Sequence, residues 1–163
     1  MSSKDNLKAA FTGESMANRT YLAFSKKADE EGYSQIAKLF RAAAAAETVH
    51  ALSHLQRMGG IGTTMDNLKD AISGETYEFT KMYPEFIEAA KKEDDKKALW
   101  SFEVANKVER IHASLYEKAL NEIGNNEEID YHICSVCGYT MEGEPQGNCP
   151  ICGAPASKFD KIE

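Results

Sequence analysis

The sequence has no long apolar run, since no segment approaches the roughly 18 consecutive apolar residues that a membrane-spanning helix requires. Its first six residues are mostly polar and lack the apolar centre of a signal peptide. Basic residues are also in the minority, with 19 Lys and Arg against 26 Asp and Glu and a net charge of −7. This balance argues against nucleic acid or an anionic membrane as the main partner. We therefore expect a cytoplasmic protein that binds neither.

Cysteine is absent from the chain before Cys134, and the Gly-x-Gly-x-x-Gly fingerprint of dinucleotide-binding folds is absent throughout. A nicotinamide cofactor that takes part in this protein's chemistry must therefore be bound by another protein. The cysteines form two Cys-x-x-Cys pairs near the end of the chain: Cys134 with Cys137, and Cys149 with Cys152. In a reducing compartment this spacing indicates one metal site rather than two disulfides. It is typical both of an electron-transfer iron site and of a structural zinc ribbon.

The segment 1–126 is patterned as four helices, because apolar residues recur in it at helical spacing. The four helices are expected over residues 3–31, 34–58, 64–92 and 93–123. Ser34 is expected to cap the second helix, and Pro84 to kink the third. Trp100 is expected in the core, and six large residues are expected on the buried side of the second helix: Ile36, Leu39, Phe40, Val49, Leu52 and Leu55. The pattern predicts an all-α four-helix bundle over residues 1–126.

From about residue 131 the composition changes abruptly to Cys, Gly and Pro, without helical periodicity. We expect a separate, mostly β and loop domain over residues 131–163. Such a short segment cannot bury much apolar surface, so a metal ion must supply the cross-link that holds it together.

A Glu-x-x-His pair in the second helix indicates a metal site in the bundle. Residues three apart lie on one helix face, so Glu47 and His50 can bind one ion. A single pair is weak evidence, because Glu is common on helix surfaces. Here the pair recurs, and another helical Glu precedes each copy at nearly the same distance along the chain. The two sets are Glu14, Glu47 and His50, and Glu75, Glu109 and His112. They predict an internal two-fold repeat of one helical hairpin.

Together the two sets match the ligands of di-iron carboxylate bundles, which take one Glu from each of two helices and a Glu-x-x-His from each of the other two. Imidazole ligands favour transition metals over calcium or magnesium. Glu47 and Glu109 are the expected bridging ligands. Glu78, one turn beyond Glu75, is a further carboxylate that can serve as a seventh ligand.

With these motifs the sequence resembles the rubrerythrins over nearly its whole length, which implies a ferritin-like di-iron bundle followed by a rubredoxin-like domain with one iron on four cysteines. The resemblance implies that His50 and Glu78 alternate on one iron between the oxidised and reduced states. It also implies that Tyr21 and Tyr83 form hydrogen bonds near the cluster, although both could equally be ordinary core tyrosines. The implied di-iron ligands are Glu14, Glu47, His50, Glu75, Glu78, Glu109 and His112.

The activity that the resemblance implies is a peroxidase that reduces hydrogen peroxide to water, with oxygen as an alternative oxidant. Electrons would come ultimately from NADH through a separate reductase or a rubredoxin, and would pass through the four-thiolate iron. The competing interpretation is a ferroxidase and iron-storage protein, or an oxygen scavenger, whose tail holds a structural zinc ion.

The connection between the second and third helices, residues 59–63, is too short for a ferritin-like bundle made by one chain. There the second and third helices run parallel, so the chain must cross the length of the bundle, ~35 Å at 1.5 Å per residue. About five residues reach at most ~18 Å when extended. The linker therefore predicts a domain-swapped homodimer. The alternative is an up-down-up-down monomer with a different ligand geometry.

Overall fold

The structure is a computed structural model that describes residues 2–163. The chain forms two compact units, which divide between residues 62 and 63. Among the described residues, no helix is both long enough and apolar enough to cross a membrane.

The first unit is a hairpin of two helices, α1 (Ser3–Glu30) and α2 (Ser34–Arg57). A capping box starts α1, because the Ser2 hydroxyl accepts the Asp5 amide and the Asp5 carboxylate accepts the Ser2 amide. Ser34 was expected to cap α2, and this prediction is wrong: Ser34 is the first helical residue, and Tyr33 precedes it without a side-chain cap.

The seam between α1 and α2 is lined by alanines of α2 at regular intervals, Ala37, Ala44 and Ala51, all of which are buried. Small side chains let the two helices approach closely. Asn18 of α1 ties them together, since its amide donates to the Ala44 carbonyl oxygen at 2.6 Å and to the Thr48 hydroxyl at 2.9 Å.

The large residues that we expected to be buried lie outside this seam. Relative exposure is 48% for Ile36, 67% for Leu39, 67% for Val49, 54% for Leu52 and 50% for Trp100. The burial prediction is therefore wrong for these five residues, whereas Phe40 and Leu55 are half-buried. For the four residues of α2 the physical reason is that a two-helix hairpin covers only the stripe between its helices and leaves a second apolar face open.

The second unit begins with a helical stretch in three parts and continues into α5. The capping box of Thr63 and Asp66 starts this stretch, and the Asp95 carboxylate accepts two amides at the start of α5. The segments are α3 (Thr64–Tyr77), a π-helical turn (Glu78–Met82), α4 (Tyr83–Lys92) and α5 (Lys96–Asn121). The sequence predicted a kink at Pro84 but not the π-helical turn that precedes it. Pro84 has no N–H and its ring crowds the carbonyl four residues earlier, so a widened turn is favoured there.

The tail of the second unit is a small antiparallel sheet with strand order β2-β1-β3. The strands are β1 (Tyr131–Cys134), β2 (Thr140–Glu142) and β3 (Phe159–Ile162), and a 3₁₀ turn (Ala156–Lys158) precedes β3. Cys134 and Cys149 are buried in it. The sheet lies against α5, where the Lys118 ammonium contacts both carboxylate oxygens of Glu142 at 2.8 Å.

The helices of the second unit repeat those of the first. The offset in residue number between matching positions is constant before the π-helical turn and one residue larger after it. Before this turn the matching pairs are Ser2 with Thr63, Asp5 with Asp66 and Glu14 with Glu75. After it the matching pairs are Tyr21 with Tyr83, Phe24 with Phe86, Phe40 with Phe102, Glu47 with Glu109 and His50 with His112. The π-helical turn is thus a one-residue insertion, which explains why Glu109 follows Glu75 at a distance one residue longer than that from Glu14 to Glu47.

Even the turns between helices correspond in the two copies. Gly32 has φ of 83°, and Asp94, which occupies the matching position in the second copy, has φ of 51°. Both residues therefore occupy the left-handed region that ends a helix.

Replacing Gly32 by Ala is expected to lower the free energy of unfolding by about 1 kcal/mol, because a Cβ disfavours the left-handed conformation. Urea unfolding followed by circular dichroism measures the change. Gly32→Asn is the matched control, since Asn tolerates this conformation and should retain most of the stability. Equal midpoints for the Ala and wild-type proteins would contradict the prediction.

Candidate metal centres

In the first unit, Glu14, Glu47 and His50 form the first carboxylate cluster. One ligand atom from each residue lies within 4.8 Å of the others. The spacing of three residues on α2 brings the His50 Nδ1 to 2.9 Å from Glu47 Oε2. Glu14 of α1 faces this pair across the hairpin. The sequence therefore correctly predicted which three side chains of this unit converge.

The second carboxylate cluster is built in the same way from Glu75, Glu109 and His112, whose ligand atoms also lie within 4.8 Å of one another. His112 Nδ1 is 2.8 Å from Glu109 Oε2 and 3.9 Å from Glu75 Oε1. Burial, followed by the charge of Glu109, raises the pKa of Glu75 from 4.5 to about 7. Carboxylates held together in this way repel each other, and a bound cation would offset the repulsion.

Glu78 lies beside the second cluster rather than inside it. It is not one of the three residues whose ligand atoms converge, but its charge contributes to the raised pKa of Glu75. Burial and the charge of Glu109 raise the pKa of Glu78 itself. Glu78 is the first residue of the π-helical turn, and the matching position in α1 is Ala17. The first hairpin therefore has no counterpart to this carboxylate.

The two tyrosines occupy equivalent positions in the two copies of the repeat. Tyr83 packs on Phe86 and Phe102, with ring centroids 6.2 and 6.3 Å apart. Tyr21 packs on Phe24 and Phe40 with ring centroids 6.4 and 6.2 Å apart. Burial raises the pKa of Tyr83, and the charges of Glu109, Glu78 and Glu75 raise it further. Its hydroxyl therefore stays protonated near the second cluster and remains a hydrogen-bond donor.

The four cysteines of the tail converge as the sequence predicted. Their four sulfur atoms lie within 4.8 Å of one another, and all four cysteines are free thiols. Sγ of Cys134 is 3.7 Å from Sγ of Cys152, and Sγ of Cys137 is 3.6 Å from Sγ of Cys149. A disulfide needs about 2.05 Å, so these distances fit thiolates around one ion instead.

The turns of the two Cys-x-x-Cys loops direct backbone amides at the sulfurs. Burial raises the pKa of Cys137, and the Tyr139 amide offsets part of that rise. Burial also acts to raise the pKa of Cys149, but the amides of Cys152 and Ile151 help to lower it below the usual value. Gly138 and Gly153 have φ of 80° and 77°, which these turns require. At Cys149 the lowered pKa favours the charged thiolate, the form that binds metal.

A hydrogen bond that the sequence did not predict joins the cysteine loop to the second cluster. Nε2 of His112 lies 3.0 Å from Oγ1 of Thr140, which is three residues beyond Cys137. Only the proximity of Thr140 to the cysteines could have drawn attention to it, since a single Thr at the start of a strand carries no motif. A cysteine loop and a carboxylate cluster of the same unit are therefore in direct contact.

The raised pKa of Glu75 makes the stability of the metal-free protein depend on pH. Between about pH 4.5 and 7 the folded state holds more protons at Glu75 than the unfolded state does. Stability from this group is therefore complete below pH 4.5 and is lost as the pH rises towards 7. We expect the metal-free protein to melt at a lower temperature at about pH 7.5 than at about pH 5.5. Calorimetry should show a smaller difference for Glu75→Gln, and an unchanged difference would contradict this explanation.

Helical hairpins with paired Glu-x-x-His clusters, followed by a four-cysteine sheet, define a non-haem metalloprotein with two kinds of site. A Rubrerythrin family model matches residues 5–120, and a model described as "Rubrerythrin, rubredoxin-like domain" matches residues 132–160. The chain belongs to the rubrerythrin family. This confirms the predicted fold class, a ferritin-like four-helix bundle with a rubredoxin-like domain, and the predicted cofactors, a di-iron centre and one iron on four cysteines.

Sequence relatives match most of the chain. Nigerythrin of Nitratidesulfovibrio vulgaris is 40% identical over 97% of this chain and 85% of its own length. Rubrerythrin-2 of Clostridium acetobutylicum is 37% identical over 95% of this chain and 94% of its own. The solved structure of fully reduced, all-ferrous nigerythrin aligns with a TM-score of 0.61 at 37% identity, covering 99% of this chain and 87% of that one.

Proposed function

We propose that this protein is a peroxidase that reduces hydrogen peroxide to water at the di-iron centre, with oxygen as an alternative oxidant. The proposed iron ligands are Glu14, Glu47, His50, Glu75, Glu78, Glu109 and His112, and the proposed ligands of the single iron are Cys134, Cys137, Cys149 and Cys152. When bound, the iron ions supply the redox chemistry: two electrons for cleavage of the oxygen-oxygen bond, and a one-electron couple that restores them.

The observation that carries this proposal is the hydrogen bond between His112 and Thr140. It connects a proposed iron ligand with the loop that holds Cys137. An iron-storage protein has no need for a thiolate site in contact with its carboxylate ligands, whereas a peroxidase that must be reduced in every cycle does. The contact therefore favours turnover over storage.

We assign the second cluster's own residues two tasks. Tyr83 keeps its proton because its pKa is raised, so it can donate a hydrogen bond to an oxygen atom bound nearby. Glu78 lies next to the cluster without belonging to its tight group. Glu78 is therefore the carboxylate with most freedom to bind an iron ion or to leave it, in exchange with His50.

The reducing equivalents should come from outside the chain. Since the sequence has no dinucleotide fingerprint, NADH would be oxidised by a separate reductase that passes electrons to the cysteine site directly or through a rubredoxin. We place this activity in the cytoplasm, as a defence against oxidative stress.

We further propose that the working form is a domain-swapped homodimer. Each unit would supply part of the ligand set, three residues from the first unit and four from the second, and the linker is too short for the crossover that a single-chain bundle needs. Charge supports pairing between unlike units: residues 1–62 contain eight Lys and Arg and six Asp and Glu, whereas residues 63–163 contain 11 and 20. A positive hairpin and a negative second unit from another copy attract, while like units repel.

The proposed activity is tested by steady-state peroxide consumption by the purified iron-loaded protein, with NADH and a reductase supplying electrons. We expect continuous turnover and visible thiolate-to-iron charge-transfer bands. The bands should bleach when the reductase reduces the cysteine site and return with each addition of peroxide. The storage alternative predicts oxidation of added ferrous iron without dependence on the reductase. Absence of the visible bands would favour a zinc tail and would contradict the proposed relay.

A further inference from the structure

Thr140 makes two hydrogen bonds through one hydroxyl group. Its Oγ1 donates to the Gly138 carbonyl oxygen at 3.2 Å and lies 3.0 Å from His112 Nε2. A hydroxyl has a single proton, so with that proton directed at Gly138 the oxygen accepts the Nε2–H of His112. The other ring nitrogen, Nδ1, is then the one that faces Glu109 at 2.8 Å. Thr140 thus orients the nitrogen that can bind a metal ion.

The position of Thr140 depends on the loop that holds two of the cysteines. This loop is closed by hydrogen bonds of 2.8 Å from the Cys134 amide to the Tyr139 carbonyl and from the Gly138 amide to the Cys134 carbonyl. Thr140 follows at once, as the first residue of β2. A sheet of three strands, none longer than four residues, contributes little stability, so order in this loop depends on a metal ion at the cysteines.

We propose that Thr140 is a positioning residue for His112 and couples the two metal sites, so that metal bound by the four cysteines strengthens metal binding at the second carboxylate cluster. A metallated cysteine loop presents the Thr140 hydroxyl to His112, whereas an empty loop does not hold it there. Because such coupling is reciprocal, metal at the carboxylates also stabilises the cysteine site. The inference deepens the proposed function and rests on its assignment of the carboxylate ligands.

A second link between α5 and the sheet supplies a matched control. Lys118 and Glu142 join the same two elements without touching His112. Lys118→Gln weakens the attachment of the sheet but leaves the hydroxyl in place. Thr140→Val removes the hydroxyl and keeps the shape of the side chain, and Thr140→Ser keeps the hydroxyl.

The test measures the affinity of cobalt(II) for the carboxylate clusters in the full-length protein by its visible absorption. Zinc is first loaded at the cysteines, where thiolates retain it against cobalt. The comparison protein carries Cys149→Ser and Cys152→Ser and cannot assemble the cysteine site. Each Thr140 variant and Lys118→Gln are made in both backgrounds, which gives a double-mutant cycle.

We expect zinc-loaded wild-type protein to bind cobalt about 10- to 100-fold more tightly than the cysteine-deficient protein, the usual effect of a group that orients a metal-binding histidine. The Thr140→Val variant should bind cobalt in both backgrounds with the weaker affinity of the cysteine-deficient protein. The Thr140→Ser and Lys118→Gln variants should bind cobalt as the wild-type protein does. In the all-zinc protein, nuclear magnetic resonance should show a slowly exchanging His112 Nε2–H that Thr140→Val loses.

The outcomes separate this inference from the function on which it rests. If cobalt binds the carboxylates equally well in all variants, the coupling role of Thr140 is wrong and the proposed di-iron ligands stand. If Lys118→Gln weakens binding as much as Thr140→Val does, docking of the sheet matters and the hydroxyl does not, which also overturns the inference. If no variant binds cobalt at the carboxylates, both the ligand assignment and the coupling fail.

Discussion

Replacing Cys137 by Ser should abolish steady-state peroxide consumption while leaving a single round of di-iron oxidation intact. Cys137 is one of four sulfurs that converge within 4.8 Å, and a hydroxyl is a poor substitute for a thiolate ligand of iron. Without the four-thiolate iron, electrons cannot reach the di-iron centre between cycles. We expect reductase-driven turnover to fall to background. With enough ferrous iron to saturate the carboxylate clusters, the rate of single-turnover oxidation by peroxide should change by less than about twofold.

Loss of a cysteine could also unfold the tail, and wild-type protein with zinc at the cysteines controls for this. Zinc holds the same four sulfurs but has no one-electron couple. The zinc form should therefore match Cys137→Ser in steady-state turnover while keeping the folded sheet. If either protein turned over at the wild-type rate, electrons would reach the di-iron centre by another route and the proposed relay would be wrong.

The sequence was sufficient for the parts of the site that depend on local spacing. Glu47 with His50, and Glu109 with His112, converge because three residues make almost one turn of helix, and each Cys-x-x-Cys pair converges because its turn is tight. The helices also follow from local signals, since capping boxes begin α1 and α3 where the sequence places Ser2 and Thr63. These features need no knowledge of distant contacts.

The features that the sequence did not predict depend on competition between alternative backbone conformations or on contacts between residues that are distant in the chain. The π-helical turn arises because Pro84 and an inserted residue favour a wider turn over a regular one, and helical periodicity does not detect one extra residue. The bond between Thr140 and His112 joins residues that are far apart in the chain. Exposure of Leu39 and Val49 reflects what covers the hairpin, which the periodicity of one helix cannot reveal.

The two hairpins repeat each other but differ at one position beside the carboxylate clusters. Two identical hairpins would offer two identical sets of three ligands. Glu78 stands where the first hairpin has Ala17, so a further carboxylate lies beside one cluster alone. In the proposed di-iron centre the two sets of ligands would then be unequal, and only one would have an extra carboxylate available for exchange.

Mixing two inactive variants should restore activity if the dimer is domain-swapped. One variant carries Glu47→Gln and His50→Ala in the first hairpin, and the other carries the matching changes Glu109→Gln and His112→Ala in the second unit. Each alone can form only damaged sites. In a swapped heterodimer one bundle receives both damaged halves and the other receives both intact halves. Co-refolding equal amounts should therefore recover about a quarter of the wild-type turnover, and a purified heterodimer about half.

A third substitution then identifies the tail that serves the restored site. The intact second unit comes from the chain with the damaged first hairpin, and the contact between Thr140 and His112 places a cysteine loop on that same unit. Adding Cys137→Ser to this chain should abolish the recovered turnover, whereas adding it to the other chain should have no effect. Differently tagged copies allow each heterodimer to be purified and assayed for peroxide consumption. Bundles made within single chains would recover nothing in any mixture, because no chain would then combine two intact halves.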